Sequence, residues 1–166
     1  MAELGITKEV CKSTYANKKT GIIEWEISEW CSLPSVHVTS TSTICPTSAV
    51  MQACGEPWQL EVCRGGYSKA TDSEAEVERK KEYVAIFLHF KGSSEALKTK
   101  CSIAIVNQLP GKQDIVLKDE RTFGQRREGG VTTNYGSPRF IKRSDLLDES
   151  NGFKVNDRVV IRADIT

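Results

Sequence analysis

The feature that most constrains this chain is a set of short segments in which apolar and polar residues alternate. In residues 21–30, Ile23, Trp25 and Ile27 occupy every second position, and Glu24 and Glu26 lie between them. Alternation with a period of two, carried by β-branched and aromatic residues, is typical of a β-strand with one buried face. The same reasoning predicts further strands at residues 58–63, 83–90, 101–106, 113–118 and 157–165.

The spacing of these segments predicts the fold class. Turn signals such as Gly65-Gly66 separate them, and helical periodicity is almost absent. Seven or eight short strands joined by turns are typical of an all-β protein built as an antiparallel β-sandwich. We expect one short helical turn near residues 144–149, with Ser144 as its N-cap. Residues 67–81 are charged and predict either a solvated loop or a short helix.

The chain divides into two parts by composition. Residues 1–20 are polar and end in a turn-like stretch, which predicts a flexible N-terminal arm. Residues 21–166 hold the predicted strands and form one domain. Within it, residues 32–54 are rich in Ser, Thr and Pro, and they contain one candidate short strand at 36–39.

Size and charge exclude several classes of protein. The 166 residues are 39% apolar and carry a formal net charge of +1, so the chain can bury a core of its own but has no electrostatic basis for binding nucleic acid or an anionic membrane. No apolar run approaches the roughly 20 residues of a membrane span. The N-terminus lacks the apolar segment of a signal peptide. We therefore expect an intracellular protein, cytoplasmic or nuclear.

The cysteines and histidines do not predict a metal or cofactor site. None of the six cysteines belongs to a C-x-x-C pair, and the two histidines, His37 and His89, are far apart in sequence. Without a secretory signal, free buried or half-buried thiols are favoured, and a set of disulfides is the alternative. The motifs G-x-S-x-G, H-E-x-x-H and G-x-x-x-x-G-K are also absent. We expect no catalytic activity, although a Cys–His pair brought together by folding stays an open alternative.

The order of the motifs resembles a known family. A strand that ends at Trp30 is followed by a W-x-L-x-V strand at 58–62 and by the apolar run 83–88. In the last third, Tyr135-Gly136 precedes a basic residue and Phe-Ile, a Leu-Leu turn and a final D-x-hydrophobic strand. This pattern over residues 21–166 resembles the MATH (TRAF-like) domain. It is most similar to the MATH–BTB adaptor branch, which includes speckle-type POZ protein.

The resemblance implies a function as well as a fold. MATH domains are eight-stranded antiparallel sandwiches with a shallow groove that holds an extended peptide, and they catalyse nothing. Hydrogen bonds to a strand edge provide affinity in this mode of binding, and side-chain pockets select the sequence. Phe87 matches the position of the aromatic residue that lines the groove on the central strand of the adaptors. Tyr135 matches the aromatic residue of their Trp-Gly pair. The expected peptide-binding residues are Phe87, Cys101, Asn134, Tyr135, Gly136 and Ser137.

Three of these positions depart from the adaptor pattern. Cys101 and Ser137 replace aromatic residues, and Asn134 replaces an acidic one. These replacements predict a wider and more polar groove. We therefore do not assume that this domain binds the Ser/Thr-rich motif that the adaptors bind. Three of the positions also have a plainer interpretation, with Phe87 in the core, Cys101 as a small core or surface residue, and Tyr135 packed at a strand edge. The groove residue expected near Phe123 has no match, because the loop of residues 124–134, with its charged Arg126, Arg127 and Glu128, is longer than in the adaptors.

The resemblance implies short linear motifs of protein substrates as partners. In an adaptor, a BTB domain outside this chain would contact the ubiquitin-ligase scaffold. A TRAF-type signalling scaffold and the substrate-binding domain of a deubiquitinase are the alternatives. We expect the segment alone to be monomeric, because avidity in such systems comes from joining several domains.

Overall fold

A computed structural model describes residues 6–14, 20–33, 38–39, 45–125 and 129–166 of the chain. Eight of its strands are seven or more residues long: β1 (Ile6–Thr14), β2 (Thr20–Ile27), β5 (Glu56–Cys63), β7 (Tyr83–Phe90), β8 (Leu97–Ile105), β9 (Ile115–Phe123), β11 (Asn134–Lys142) and β12 (Val159–Ile165). The shorter strands are β3 (Val38–Thr39), β4 (Met51–Ala53), β6 (Tyr67–Ser68) and β10 (Val131–Thr132). The helices are α1 (Glu74–Lys80) and α2 (Arg143–Leu147), with 3-10 turns at Trp30–Ser32 and Glu149–Asn151.

The long strands form two sheets. One sheet has the order β1-β2-β12-β8-β9-β10, and the other has the order β11-β7-β5-β4. Neighbouring strands in both sheets are antiparallel except for the short β9–β10 pair. A separate parallel pair joins β3 to β6. The prediction of an antiparallel β-sandwich is therefore confirmed.

The core lies between the two sheets and is built from the alternating residues. Trp25 on β2 and Trp58 on β5 are fully buried, as is Trp30 in the 3-10 turn that follows β2. Burying aromatic side chains of this size contributes several kcal/mol each to folding. The indole Nε1 of Trp58 donates to the carbonyl oxygen of Ala53 at 3.0 Å, so this ring is buried without losing its hydrogen bond. The sequence-based assignment of all three tryptophans to the core is correct.

The structure differs from the predicted N-terminal arm. Residues 6–14 form β1, which pairs with β2 in register from Ile6 opposite Ile27 to Thr14 opposite Thr20. Residues 1–5 and 15–19 lie outside the described part. A mainly polar sequence forms a strand here because β1 is the edge of its sheet, and a backbone ladder needs no apolar alternation.

In the second half, one strand extends beyond its predicted limit and one strand was not predicted. Strand β9 continues past residue 118 to Phe123, and β11 begins within the predicted 124–134 loop and includes the short apolar step Phe140-Ile141. Strand β11 is irregular, because Ser137 lies opposite Ile86 but Ile141 lies opposite Val84. The extra residues between these pairs break the alternation that a sequence pattern would detect.

Both predicted helical segments are present, with one correction. In α1, the Ser73 hydroxyl accepts from the backbone N–H of Glu76 at 3.3 Å, so the helix alternative for residues 67–81 is correct. The short helix α2 lies where a helical turn was expected, but its N-cap is Lys142 and not Ser144. Strand β11 runs directly into α2, and the N–H of Arg143 is satisfied by the carbonyl oxygen of Glu82 at 2.8 Å. No side chain caps the start of this helix.

The expectation of free thiols is wrong for one pair. Cys45 and Cys63 form a disulfide that joins the segment before β4 to the end of β5. Predictions for His37 and for the charged triplet Arg126, Arg127 and Glu128 fall outside the described residues. Among the described residues there is no helix with the length and apolar character needed to cross a membrane.

Candidate functional site

Two open strand edges face each other on one side of the sandwich. In the described part of the chain, β11 pairs with β7 alone, and β9 pairs with β8 along its length and with β10 only at Thr122 and Phe123. A depression of about 110 Å³ separates the edges, and its lining includes Leu117 from β9 and Ser137 from β11. We call this space the β9–β11 cleft. The depression itself is lined by Ile115, Val116, Leu117, Ser137, Arg139 and Phe140. We include in the cleft the neighbouring group of Cys101, Asp119, Arg121 and Tyr135, which lie close to one another.

Two charged side chains on β9 point toward the opposite sheet. The register pairs Asp119 with Cys101 and Arg121 with Thr99, and both partners on β8 are buried. Because residues directly opposite each other share a face of the sheet, Asp119 and Arg121 face the cleft. They form an ion pair of 2.9 Å and are each about half exposed. Because the ion pair is this exposed, the cleft side of β9 is accessible to solvent.

Cys101 forms the floor of the cleft. It is 3% exposed, and burial together with the nearby Asp119 carboxylate raises the pKa of its thiol to about 11, although Arg121 acts in the opposite direction. The group is therefore a neutral thiol near neutral pH. It offers a small apolar surface and not a nucleophile.

Tyr135 forms the wall of the cleft on β11. It lies opposite the fully buried Leu88, so its ring points toward the sandwich interior. The Arg121 guanidinium lies 5.3 Å from the ring centroid, a distance at which a cation is attracted to the aromatic face. Burial, followed by the proximity of Cys101 and Asp119, raises the pKa of the Tyr135 hydroxyl. Tyr135 therefore presents a neutral ring to the cleft.

The backbone of β11 offers hydrogen-bonding groups at its open edge. The N–H of Phe90 donates to the carbonyl oxygen of Thr133 at 2.8 Å. Because bonded and non-bonded pairs alternate along an antiparallel ladder, this bond directs the N–H and C=O of Asn134 and Gly136 away from β7. The Thr132 hydroxyl donates to the carbonyl oxygen of Asn134 at 2.8 Å and accepts from its N–H at 3.3 Å. Gly136 is thus the position where an added strand would begin to pair.

A close approach between strands requires glycine at position 136. A Cβ atom there would overlap the carbonyl oxygen of Ile86 and would lie 2.7 Å from Cα of Phe87. Ser137, the next residue, uses its hydroxyl to accept from the N–H of Arg139 at 3.0 Å. That bond holds the irregular part of β11 in place beside the cleft.

Five of the six predicted site residues lie along this side of the sandwich, and one does not. Cys101 and Tyr135 face the cleft, and the segment 134–137 runs along its rim. Phe87 lies opposite Gly136 on the outer face of its sheet, and its ring packs edge-on against Tyr67 with centroids 5.2 Å apart. Its side chain is therefore on the reverse face from Tyr135.

Sequence reasoning missed Asp119 and Arg121. The predicted strand stopped at residue 118, so the alternation Ile115, Leu117, Asp119, Arg121, Phe123 was not recognised as one face. Phe123 is fully buried, and counting back from it by twos locates both charges. The alternation with a period of two, extended to Phe123, would have predicted that both charges lie on this face.

Comparison with known proteins identifies the family. The family model described as "MATH domain" matches residues 23–165. The chain belongs to the MATH domain family. Domains of this family mediate protein–protein interactions and are not catalytic.

Two relatives from Dictyostelium discoideum are similar in sequence to this MATH domain. A probable inactive serine/threonine-protein kinase, fnkC, is 25% identical over 134 residues, which cover 81% of this chain and 9% of the relative. A TNF receptor-associated factor family protein is 33% identical over 87 residues, which cover 52% of this chain and 14% of the relative. The chain therefore matches only a small part of the length of either relative.

A solved structure shares the fold. The structure of Notothenia coriiceps TRAF5 superposes with a TM-score of 0.60 at 12% identity, covering 87% of this chain and 72% of the TRAF5 chain. At that identity the likeness concerns the fold. The resemblance stated from the sequence motifs is confirmed for the family, whereas the comparisons do not assign the chain to the MATH–BTB branch.

Proposed function

We propose that this domain binds an extended peptide from a protein partner along the open edge of β11, in the β9–β11 cleft. The observation that carries the proposal is the pair of unpaired edges, with the N–H and C=O of Gly136 directed into the space between them. Strand addition to such an edge supplies main-chain hydrogen bonds that any peptide sequence satisfies. Tyr135, Cys101 and Leu117 would then contact alternate side chains of the peptide.

The cleft favours a particular chemistry in the peptide. Cys101 stands where the adaptor pattern has a large aromatic residue, so we infer that the cleft accepts a medium-sized apolar side chain. Asp119 and Arg121 lie side by side, and they offer one acceptor and one donor to polar groups of the peptide. We infer a motif with one apolar residue flanked by polar residues, without a strong net charge.

The first experiment tests binding and its position. Labelled Ser/Thr-rich and acidic peptides are titrated with the domain, and fluorescence anisotropy gives the Kd of each hit. Tyr135→Ala is expected to weaken every hit by roughly tenfold or more, as the loss of an aromatic anchor does. Val50 precedes β4, at the opposite edge of the second sheet, and is 50% exposed, so Val50→Ala is the matched control and should leave Kd unchanged. If Tyr135→Ala binds as the wild type does while remaining folded, the cleft is not the site.

A second experiment tests strand addition itself. N-methylation of single backbone amides in the best peptide removes one donor at a time. Binding should fall at every second residue, because an added strand uses alternate amides for the edge of β11. Equal tolerance at all positions would contradict edge pairing and leave only side-chain recognition.

Phe87 is tested separately. Because its ring lies on the reverse face of the sheet, Phe87→Ala should change Kd less than Tyr135→Ala does. A larger effect of Phe87→Ala would mean that the peptide crosses the outer face of the sheet, as the family resemblance implied for this position.

The proposal also concerns the kind of protein in which the domain acts. We propose a substrate-recognition module of a ubiquitin-ligase adaptor, supported by the motif order from Tyr135 to the final strand. The similarity to a TNF receptor-associated factor family protein favours a signalling scaffold as the second candidate. The sequence that flanks this segment in the full-length protein separates them. A BTB domain after Thr166 would support the adaptor, and a coiled coil before residue 6 would support the scaffold.

A further inference from the structure

A second cluster of reactive side chains lies on the outer face of the β11-β7-β5-β4 sheet, away from the cleft. The Sγ atoms of Cys45 and Cys63 and a carboxylate oxygen of Glu61 all lie within 4.8 Å of one another. Glu61 and Cys63 are two residues apart on β5 and so share a face of the sheet. We propose that reduction of the Cys45–Cys63 disulfide converts this cluster into a zinc site with both thiolates and Glu61 as ligands.

The spacing of the cluster fits zinc. Tetrahedral zinc holds sulfur at about 2.3 Å and carboxylate oxygen at about 2.0–2.2 Å, which places neighbouring ligand atoms roughly 3.5–3.8 Å apart. After the S–S bond is broken, the two sulfurs need only small side-chain rotations to reach such a separation from each other and from Glu61. Paired thiolates select zinc over magnesium or calcium, because soft ligands favour the softer ion.

Hydrogen bonds keep the two cysteines together without the disulfide. The N–H of Val62 donates to the carbonyl oxygen of Pro46 at 3.1 Å, and the N–H of Ser48 donates to the carbonyl oxygen of Leu60 at 2.8 Å. The Ser48 hydroxyl also accepts from the N–H of Leu60 at 3.0 Å. These bonds hold the residues next to Cys45 against β5, so reduction leaves two adjacent thiols and not two separated ones.

His89 holds the third ligand in place. Its Nε2 lies 3.2 Å from Oε1 of Glu61, and both side chains are about one quarter exposed. Carboxylates that bind metals are commonly fixed by such a neighbour, which leaves the other oxygen for the ion. His89 is therefore a positioning residue, and a water molecule would complete the four-coordinate site.

The disulfide and the zinc site exclude each other because they use the same sulfur atoms. A dithiol reductant transfers two electrons and two protons to the disulfide, becomes a disulfide itself and leaves Cys45 and Cys63 as thiols. Zinc then binds the two thiolates and displaces both thiol protons to solvent. Bound zinc stabilises the reduced state, and oxidation to the disulfide releases the ion. The segment before β4 would thus be fastened to β5 in either state.

The test uses cobalt(II), which reports its ligands spectroscopically. The wild-type domain is reduced with a phosphine, its fold is checked by circular dichroism, and cobalt(II) is added stepwise. The expected result is one equivalent of bound cobalt with thiolate-to-cobalt charge transfer and the visible bands of a tetrahedral site, both of which zinc abolishes. Oxidation with diamide should remove them. A reduced domain that shows no such bands, or that no longer folds, overturns the proposal.

Variants assign the ligands. Cys63→Ser should abolish the charge-transfer band, and Cys31→Ser is the matched control because Cys31 is an exposed thiol outside the cluster. Glu61→Gln and His89→Ala should each weaken zinc binding about 10–100-fold, whereas His89→Gln, which keeps a donor, should recover part of the loss. Cobalt bands that persist in Cys63→Ser or that disappear in Cys31→Ser would place the metal elsewhere.

Discussion

Trp58 on β5 and Phe123 on β9 meet edge to face between the two sheets, with their ring centroids 5.0 Å apart. Phe123 is the last residue of β9, and it is the point at which this edge strand is anchored to the opposite sheet. Phe90 on β7 contacts Trp58 in the same way at 5.1 Å. The aromatic contacts therefore fix one end of β9, and the exposed ion pair of Asp119 and Arg121 lies nearby on the same strand.

Phe123→Ala should destabilise the domain by about 3–5 kcal/mol, because it removes a fully buried ring and leaves a cavity beside Trp58. Urea unfolding followed by tryptophan fluorescence measures the loss. Val116→Ala on the exposed face of the same strand should change stability by less than about 0.5 kcal/mol. Equal effects of the two substitutions would contradict the anchoring role of Phe123.

The sequence predicted the strands whose side chains alternate between core and solvent. Strands β2 and β12 carry this alternation through their whole length, and β5 carries it from Trp58 to Val62. The pattern alone located these strands. Strand β1 was missed because pairing at a sheet edge uses the backbone, which leaves no apolar signature. Strand β11 was missed because the residues between Ser137 and Ile141 interrupt the period.

The candidate site was predictable where a motif identified it. Tyr135 and Gly136 came from the resemblance to the family, and they lie at the rim of the cleft. The charges of Asp119 and Arg121 carry no motif, because their role depends on which face of β9 they occupy. The Cys45–Cys63 disulfide joins positions separated by 18 residues, and no spacing rule distinguishes this pairing from the other pairings of six cysteines.

Gly136→Ala should destabilise the domain and weaken peptide binding together. The new methyl group overlaps the Ile86 carbonyl and the Phe87 backbone, so β11 must shift away from β7, at a cost of about 1–3 kcal/mol. The thermal midpoint and the peptide Kd are the two measurements. Gly129→Ala is the control, because an added Cβ there meets nothing within 4 Å. A Gly136→Ala domain as stable as the wild type would show that β11 and β7 do not approach each other closely at this position.

Arg121 and Tyr135 should be coupled energetically. Their contact at 5.3 Å spans the two sheets at a partly exposed position, where a cation–aromatic pair is worth about 0.5–1 kcal/mol. A double-mutant cycle with Arg121→Ala and Tyr135→Ala, measured by urea unfolding, isolates this energy from the separate losses. Additive effects of the two substitutions would mean that the side chains do not interact in solution.

The domain should become less stable at alkaline pH because of Cys101. Burial, followed by the Asp119 charge, raises the pKa of its thiol from 9.0 to about 11, so the folded state holds the proton more tightly than the unfolded chain. The resulting stabilisation is complete below about pH 9 and is lost as the pH rises through about 11. Urea unfolding at several pH values should therefore show the advantage of the wild type over Cys101→Ala shrinking by on the order of 1–2 kcal/mol across that window. A constant difference between the two proteins would contradict the raised pKa.

Reduction of the Cys45–Cys63 disulfide should weaken the domain without unfolding it. The bond closes a loop across a sequence separation of 18 residues. Opening a loop of this length lowers the free energy of unfolding by about 2–4 kcal/mol. Urea unfolding of the oxidised and reduced wild type measures the difference. The Cys45→Ser/Cys63→Ser double variant is the control, since it should not respond to the reductant. The hydrogen bonds of Pro46 and Ser48 to β5 do not involve the sulfur atoms, so a fully unfolded reduced domain would contradict the view that the backbone already holds this segment in place. Zinc at 100 times its Kd should raise the free energy of unfolding of the reduced wild type by about 2.7 kcal/mol. It should not stabilise the double variant, and this difference separates the effect of the metal from that of the cross-link.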